Sequence, residues 1–207
     1  MSGTMTTEIT CFKAYDIRGR VPDQLNEDIA YRIGRAYAAL LSPERVVVGF
    51  DIRLTSEALC TAVSRGLMDG GADVLNIGQC GTEEVYFATS HLNADGGIAV
   101  TASHNPKDYN GMKLVRKNSR PISADTGLFD IKKLAEQSQF PKPEKIGVLE
   151  NVNTKPAYIE HLLTYVNASL LKPLKIVCNA GNGGAGPAID LLEPHLPFEL
   201  IKVHHQP

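Results

Sequence analysis

The chain has 207 residues, of which 43% are hydrophobic and 21% charged, and its formal net charge is −2 at pH 7. These proportions are ordinary for a globular protein, and the length suits one complete domain and part of another. A near-neutral charge gives no basic face for nucleic acid, and no apolar run approaches the roughly 20 residues that span a bilayer. We therefore expect neither a nucleic-acid partner nor a membrane partner.

The four cysteines show neither C-x-x-C spacing nor the dense pattern of a small disulfide-rich protein. They are Cys11, Cys60, Cys80 and Cys178. The first residues also lack the charged start and apolar core of a signal peptide. We expect reduced thiols that serve as small core residues in a cytoplasmic protein.

Helical and strand patterns alternate through the first two thirds of the chain. Asn26 is predicted to cap a helix that runs to about Leu41, and the apolar run Val46–Phe50 predicts a strand buried on both faces. Ser56 is predicted to cap the next helix. Further strands are predicted at 72–77, 96–101 and 112–115, and further helices at 82–91 and 125–137. This alternation predicts an α/β fold: a layered α/β/α domain with a mixed, mostly parallel sheet.

The composition changes near Phe140, where Pro141–Lys145 has the character of a linker. Beyond it we predict a helix from Thr154 to Leu170, strands at 175–178 and 198–203, and a glycine-rich turn between these strands that leads into a short helix. We assign residues 1–150 to the first domain. Residues 151–207 are predicted to hold a linker helix and the incomplete start of a second, similar domain.

The segment Thr101–Pro106 follows an apolar strand and precedes Asn110–Lys113. Ligands of α/β proteins collect at the carboxyl ends of strands. A serine that exchanges a phosphoryl group needs a rigid exposed loop with amide donors and cations nearby. Asn105, Lys107, Lys113 and Arg116 could supply part of that set around Ser103. The simpler alternative is a serine that only stabilises a turn.

Two further residues have a structural alternative beside the functional one. Lys113 suits proton transfer or phosphate binding, or it is a strand lysine that faces solvent. Arg18 suits a forked contact with phosphate, or it belongs to a turn with an ion pair. The glycine-rich turn contains Gly181 and Gly183 but has no acidic residue at a strand end about twenty positions later, so it predicts tight strand-to-helix packing rather than a dinucleotide site.

Several of these segments, in this order, resemble motifs of the α-D-phosphohexomutase family, most closely its bacterial phosphomannomutase branch. They are Tyr15–Gly19, Val48–Arg53, Thr101–Pro106, Asn110–Lys113 and residues 180–183. The resemblance spans nearly the whole chain. It implies a protein of four domains around one cleft, of which this chain covers the first and part of the second.

The resemblance also implies roles for individual residues. Ser103 would carry the phosphate, Lys113 would be a general acid or base with Arg18 beside it, and His104 would be catalytic and would orient the loop with Asn105. Tyr15 and Asn105 would contact the substrate. The phosphate on Ser103 would supply one ligand to Mg²⁺. The implied reaction interconverts mannose 6-phosphate and mannose 1-phosphate through a hexose 1,6-bisphosphate and supplies GDP-mannose for polysaccharides.

This sequence departs from the family pattern at several points. Phe50 stands where many members have arginine, and Asn179 where many have aspartate. The family's metal-binding string D-G-D-x-D does not occur in these 207 residues. We therefore expect little or no mutase activity from this chain alone. A phosphoglucomutase, a phosphoglucosamine mutase, a non-catalytic α/β binding fragment and a serine hydrolase remain alternatives, and the oligomeric state is open.

Overall fold

The computed structural model describes residues 8–207, so residues 1–7 of the predicted first domain lie outside the described residues. Helices and strands alternate along it. In chain order they are β1 (Ile17–Arg20), α1 (Glu27–Leu41), β2 (Arg45–Phe50), α2 (Ser56–Met68), β3 (Asp73–Gln79), α3 (Thr82–His91), β4 (Gly96–Val100), β5 (Tyr109–Arg116), β6 (Arg120–Pro121), α4 (Leu128–Gln137), β7 (Leu149–Asn151), α5 (Lys155–Leu163), β8 (Leu174–Asn179), α6 (Ala185–Leu192) and β9 (Phe198–Val203).

Most of the strands belong to one seven-stranded sheet in the order β1-β5-β4-β2-β3-β7, with β6 paired to β5. Strands β4, β2, β3 and β7 are parallel, whereas β5 pairs antiparallel with β1, β4 and β6. The strands β8 and β9 form a second, parallel sheet. Four of the seven strand pairings in residues 8–207 are thus parallel, which confirms the predicted mixed, mostly parallel α/β architecture.

Helices cover both faces of the larger sheet. On one face α1, α2 and α4 bury side chains such as Ile33, Leu67 and Ile131 against Val48 and Ile98. On the other face α3 packs against the side chains that alternate with these in the strands, among them Val47, Leu75 and Ala99. Strand β2 is buried on both faces as a result, which is what its continuous apolar run predicted.

The structure corrects one predicted helix cap. Asn26 caps α1 as expected, because its side-chain oxygen accepts a hydrogen bond of 3.0 Å from the Ile29 amide. Ser56, in contrast, does not cap α2. It is the first helical residue, Thr55 occupies the cap position, and the Ser56 hydroxyl instead donates to the Asp51 carboxylate at 2.5 Å. The Asp51 carboxylate, five residues earlier in the chain, thus accepts the hydrogen bond of the hydroxyl that the sequence assigned to the helix cap.

Two predicted helices are shorter than expected. The helix predicted at 125–137 begins only at Leu128, because Gly127 has a φ of 114° and separates it from a single 3₁₀ turn. The helix predicted at 154–170 ends at Leu163. The Asn167 side chain accepts a hydrogen bond from the Ser169 amide there, a local bond that competes with helix continuation.

The larger sheet ends at Asn151, and the next strand begins at Leu174. The division of the chain at residue 150 stays a prediction. On β8 and β9, the large apolar side chains of Leu174, Val177 and Ile201 are exposed, so this small sheet leaves part of its apolar surface uncovered within the described residues. Within the described residues, no helix combines the length and the apolar character that crossing a bilayer requires.

The cysteines differ in accessibility. Cys11, Cys60 and Cys80 are buried and unpaired, as predicted for core residues, but Cys178 on β8 is partly exposed. Burial raises the pKa of the Cys60 and Cys80 thiols to about 12 and that of Cys11 to about 11. Since the thiolate is the reactive form, raising the pH toward 9 should hardly increase the reactivity of these three thiols in the folded state.

We therefore expect iodoacetamide to alkylate Cys178 first when the native chain is treated near neutral pH. Peptide mapping by mass spectrometry after increasing times should show fast labelling at Cys178 and slow labelling at the other three. A Cys178→Ser variant should lose the fast phase. Equal rates at Cys60 and Cys178 would contradict the packing described above.

Candidate active site

A cleft of about 770 Å³ opens at the carboxyl ends of β2, β3, β4 and β8. Its walls are the β2–α2 loop, the β3–α3 loop, the segment around Ser103 and the glycine-rich turn after β8. Strand β2 lies between β3 and β4, and α2 and α3 cover opposite faces of the sheet. The chain after β2 leads to β3 on one side of the sheet, whereas the chain after β4 leads to β5 on the other side. The loops that follow β2 and β4 therefore diverge. Ligands of open α/β sheets bind at such a point.

Ser103 lines this cleft on a tightly turned loop, with its side chain exposed. Its φ is 52°, in the left-handed region that residues other than glycine seldom adopt. The Ser103 amide donates to the Thr101 hydroxyl at 2.9 Å, and the Asn105 side chain donates to the Ala102 carbonyl at 2.9 Å. These bonds fix the turn from within. The exposed hydroxyl on a fixed loop is what phosphoryl exchange requires.

His104 lies beside the serine hydroxyl. Its Nδ1 is 3.2 Å from Ser103 Oγ, so the two neighbours do come within hydrogen-bonding distance. A nucleophile–base pair of the hydrolase type also needs a third group that orients the histidine. In residues 8–207 the His104 ring has no side-chain partner other than Ser103. The pair therefore lacks the third member of a hydrolytic triad.

Arg18 and Lys113 come together through a residue that the sequence did not single out. The buried Asp16 carboxylate lies 2.6 Å from Arg18 Nη2 and 3.6 Å from Lys113 Nζ. Strands β1 and β5 bring this about, because Ile17 pairs with Met112. Since Met112 belongs to the core under α1 and α2, side-chain alternation places Lys113 on the opposite, α3 face of the sheet.

The predicted site residues therefore form two groups in this structure. Ser103 and Asn105 line the 770 Å³ cleft, with His104 adjacent to the serine. Arg18 and Lys113 form the second group around Asp16, and Tyr15 next to it is 79% exposed. Arg18 Nε is buried and has no hydrogen-bond partner within residues 8–207. The sequence did contain a signal for Asp16, because it is the carboxylate of the turn that also holds Tyr15 and Arg18. Such a carboxylate is a natural partner for the Arg18 and Lys113 side chains.

Three residues of the cleft were not predicted. Arg53 reaches across from the β2–α2 loop and donates to four main-chain carbonyl oxygens of the serine loop, residues 101–109. Asp51 and Glu83 add carboxylates to the wall, while Lys107, considered above only as a nearby cation, does line the cleft. The Asp-x-Arg spacing in Val48–Arg53 was the signal for Arg53. It did not show that the partners would be main-chain atoms.

A buried hydrogen-bond network supports the loop from below. Asp51 Oδ1 accepts from the Arg53 amide at 3.0 Å and from the Ser56 hydroxyl at 2.5 Å. The Asn110 side chain, which is fully buried, donates to the Thr55 and Ser56 hydroxyls at 2.8 and 2.9 Å. Its oxygen accepts from the Gly111 amide at 2.8 Å. The start of α2 is thereby joined to the start of β5.

The glycine-rich turn forms the far wall of the cleft. Gly181 adopts a φ of 59°, and its amide donates to the Asn179 side chain at 2.9 Å. A Cβ on Gly186 would lie 2.0 Å from the His205 carbonyl oxygen, and one on Gly184 would lie 3.5 Å from the Cys80 carbonyl carbon. The close approach at Gly186 packs the start of α6 against the segment that follows β9, so this glycine serves packing.

The described residues do not build a magnesium site. Mg²⁺ prefers oxygen ligands in near-octahedral geometry. In the part of the chain that the structure describes, no three side chains of histidine, cysteine, aspartate or glutamate come together as a possible metal cluster. The Asp51 carboxylate is already engaged by Ser56 and Arg53. The one oxygen ligand that the sequence suggested would come from a phosphate on Ser103.

Asn110→Ala should destabilise the chain, because the Gly111 amide and the two hydroxyls beneath the loop lose a buried partner. Each stranded buried group costs about 1–3 kcal/mol, so we expect a loss of that order in urea unfolding. Asn151→Ala is the matched control, since the Asn151 side chain bonds only at an exposed edge. That variant should stay within about 0.5 kcal/mol of the parent. Similar losses for the two variants would contradict the network.

Comparison with known proteins agrees with this architecture. Residues 10–142 match the family model described as phosphoglucomutase/phosphomannomutase, alpha/beta/alpha domain I. A phosphomannomutase of Escherichia coli is 59% identical over 209 residues, which cover 97% of this chain and 46% of that protein. A Xanthomonas campestris protein named phosphohexose mutases is 59% identical over 199 residues, which cover 96% of this chain and 44% of that protein.

Solved structures give the same result. A phosphoglucomutase/phosphomannomutase family protein from Burkholderia thailandensis superposes with a TM-score of 0.86 at 33% identity, covering 98% of this chain and 45% of that one. The chain spans about half the length of the curated relatives it matches. Fold, motif order and sequence identity agree, and the chain belongs to the phosphoglucomutase/phosphomannomutase family.

Proposed function

We propose that this chain supplies the phosphoserine-bearing part of a phosphomannomutase, which interconverts mannose 6-phosphate and mannose 1-phosphate. The observation that carries the proposal is Ser103 itself: an exposed hydroxyl on a fixed loop, in a strand-end cleft, in a chain of this family. Relatives named phosphomannomutase support mannose as the sugar. We place the activity in the cytoplasm, with its product supplying GDP-mannose for polysaccharides.

In the proposed reaction, phosphorylated Ser103 gives its phosphoryl group to a hydroxyl of the hexose monophosphate. The serine O–P bond breaks, a sugar O–P bond forms, the sugar hydroxyl loses its proton to a base, and the leaving Ser103 oxygen takes up a proton to become a hydroxyl again. The product is a hexose 1,6-bisphosphate. After this intermediate reorients, Ser103 Oγ takes the other phosphoryl group, which regenerates the phosphoserine and releases the isomeric monophosphate.

The residues of the two groups would share the work. Lys113 is the proposed proton carrier for the sugar hydroxyl, held by Asp16 beside Arg18, which would bind phosphate oxygens. His104 Nδ1 is close enough to accept the Ser103 hydroxyl proton when the serine attacks. Asn105 and Tyr15 would contact the substrate. Magnesium enters the proposal only through one oxygen of the Ser103 phosphate, since residues 8–207 do not build the rest of its site. No step here is derived through the metal.

A broader sugar range is the second candidate. The relatives from Xanthomonas campestris carry the name phosphohexose mutases rather than phosphomannomutase at the same 59% identity. On this alternative, glucose phosphates would be used beside mannose phosphates. The described walls of the cleft are the serine loop, two further loops and the glycine-rich turn, and they contain no feature that favours one sugar over the other.

Ser103 should accept phosphate from glucose 1,6-bisphosphate or mannose 1,6-bisphosphate supplied with MgCl₂. We expect the intact mass to rise by about 80 Da, one phosphoryl group, with the modified peptide containing Ser103. Ser103→Ala should show no gain. Phosphate on another residue, or an unmodified parent chain under these conditions, would overturn the proposal and favour a non-catalytic binding fragment. A fluorophosphonate label on Ser103 would instead indicate a hydrolase.

The chain by itself should turn over mannose 1-phosphate at no more than background rate. The reason is that the described residues provide a serine that can carry phosphate and the two cationic side chains Arg18 and Lys113, but no cluster of side chains that could hold a metal ion. A coupled assay for mannose 6-phosphate, with a complete phosphomannomutase as the positive control, measures this. Turnover by the chain within the ordinary enzyme range of about 1–1000 s⁻¹ would show that these residues suffice.

A further inference from the structure

The Arg53 guanidinium donates most of its hydrogen bonds to main-chain carbonyl oxygens. Its Nη2 donates to the carbonyl oxygens of Ser103 and Asn105 at 2.8 and 2.6 Å, and its Nη1 donates to those of Pro106 and Tyr109, both at 2.8 Å. Its Nε faces Asp51 Oδ2 at 3.6 Å. A guanidinium has five N–H donors. Four are therefore bonded to the serine loop, and the fifth faces a carboxylate.

This bonding bears on how a phosphate ester would meet Arg53. An arginine that lines a cleft for phosphate esters is ordinarily expected to fork onto the phosphate oxygens. Here the fork is already filled by four carbonyl oxygens on both limbs of the loop. A phosphate could reach Arg53 only by displacing bonds that hold the serine in place. Arg53 therefore acts on the loop and not on the ligand.

The positions of the four carbonyls explain what Arg53 does for Ser103. Ser103 has a left-handed backbone at a φ of 52°, which a serine keeps only when its surroundings enforce it. The two bonds from Nη2 hold the main chain at Ser103 and two residues later, while the bonds from Nη1 hold the return limb toward β5. Together they prevent the turn from relaxing and hold Ser103 Oγ toward the cleft.

Arg53 is itself held in place by the buried network beneath it. Asp51 receives the Arg53 amide and the Ser56 hydroxyl, and Ser56 is bonded in turn to the buried Asn110. The Arg53 side chain is only 14% exposed. The serine loop is therefore supported by α2 and β5 through one guanidinium.

We propose that Arg53 is a positioning residue for phosphoryl transfer at Ser103, acting through the loop's backbone carbonyls and not through the substrate's phosphate. The inference rests on the proposed function, because it names what keeps the phosphate acceptor in place. Phosphoryl transfer depends mainly on positioning and on charge stabilisation, and a displacement of about 1 Å can cost on the order of a hundredfold in rate. Arg53 supplies the positioning.

The test uses the whole chain and compares Arg53→Lys with the parent in phosphate uptake from glucose 1,6-bisphosphate. Lysine keeps the charge but cannot span four carbonyls in two directions. We expect the maximal rate of Ser103 phosphorylation to fall by about ten- to a hundredfold, with the half-saturating bisphosphate concentration changed less than about twofold. Arg32→Lys, at an ion pair with the exposed Asp28 one turn earlier on α1, is the matched control and should behave like the parent.

A second measurement is independent of phosphorylation. Amide hydrogen exchange should become at least about tenfold faster across residues 101–109 in Arg53→Lys, while the amides of α1 stay protected. Asp51→Asn serves if Arg53→Lys is too unstable, because its amide would present a donor to Arg53 Nε and loosen the side chain without removing it. This variant should show an intermediate increase in the same segment.

The outcomes separate the two proposals. A raised half-saturating concentration with an unchanged maximal rate would make Arg53 a phosphate ligand and overturn the inference. Unchanged exchange at residues 101–109 in both variants would also overturn it. If the parent chain takes up no phosphate but its loop loosens in Arg53→Lys, the proposed function fails while the structural role of Arg53 stands.

Discussion

The site depends on one interaction: the guanidinium of Arg53 bonded to four carbonyl oxygens of the serine loop. Loops that follow strands are held mainly at their two ends, so a loop that presents a reactive group needs support from outside itself. Arg53 comes from the loop that follows the neighbouring strand β2, a strand near the centre of the sheet that is buried on both faces. The rigidity of the core is thereby passed to Ser103 through a single side chain.

The topology explains why this support is available where the serine lies. The loops after β2 and β4 are neighbours only because β4 returns to pair with β2 on the side opposite β3. The chain after β2 leads to β3 on one side, whereas the chain after β4 leads to β5 on the other, which opens the space between the two loops. One loop supplies the serine and the other supplies its support. The same reversal also brings the β3–α3 loop and the glycine-rich turn to the edge of the cleft.

The cations of the site fall into two sets with different surroundings. Arg53 is hydrogen-bonded to main-chain carbonyls and faces Asp51. Arg18 and Lys113, in contrast, share the buried carboxylate of Asp16 on the α3 face. Arg18 keeps a buried Nε without a partner in residues 8–207, a donor that the protein has desolvated but has not used. A buried unpaired donor is costly, and an anionic ligand would relieve that cost. The charge that a phosphorylated sugar brings is of the right sign.

Much of this was readable from residue patterns. The alternation of apolar strands and amphipathic helices predicted the layered α/β architecture, and the Thr101–Pro106 segment at a strand end placed Ser103 at the cleft. The prediction at Ser56 was wrong. Serine suits a helix cap, but here its hydroxyl donates to the Asp51 carboxylate and Thr55 occupies the cap position. The residue patterns also missed β1 and β7, since strands of four and three residues with charged side chains carry no hydrophobic period.

The sequence by itself determined which groups are present: a serine, a histidine, two cations and a glycine-rich turn, in an order that resembles one family. Only the tertiary structure decided which of them meet. Asp16 joins Arg18 to Lys113 because β1 pairs antiparallel with β5, and Arg53 reaches the serine loop because β2 lies beside β4. Both contacts join residues about fifty to a hundred positions apart in the chain. Strand pairing sets such distances, and no local pattern of residues records it.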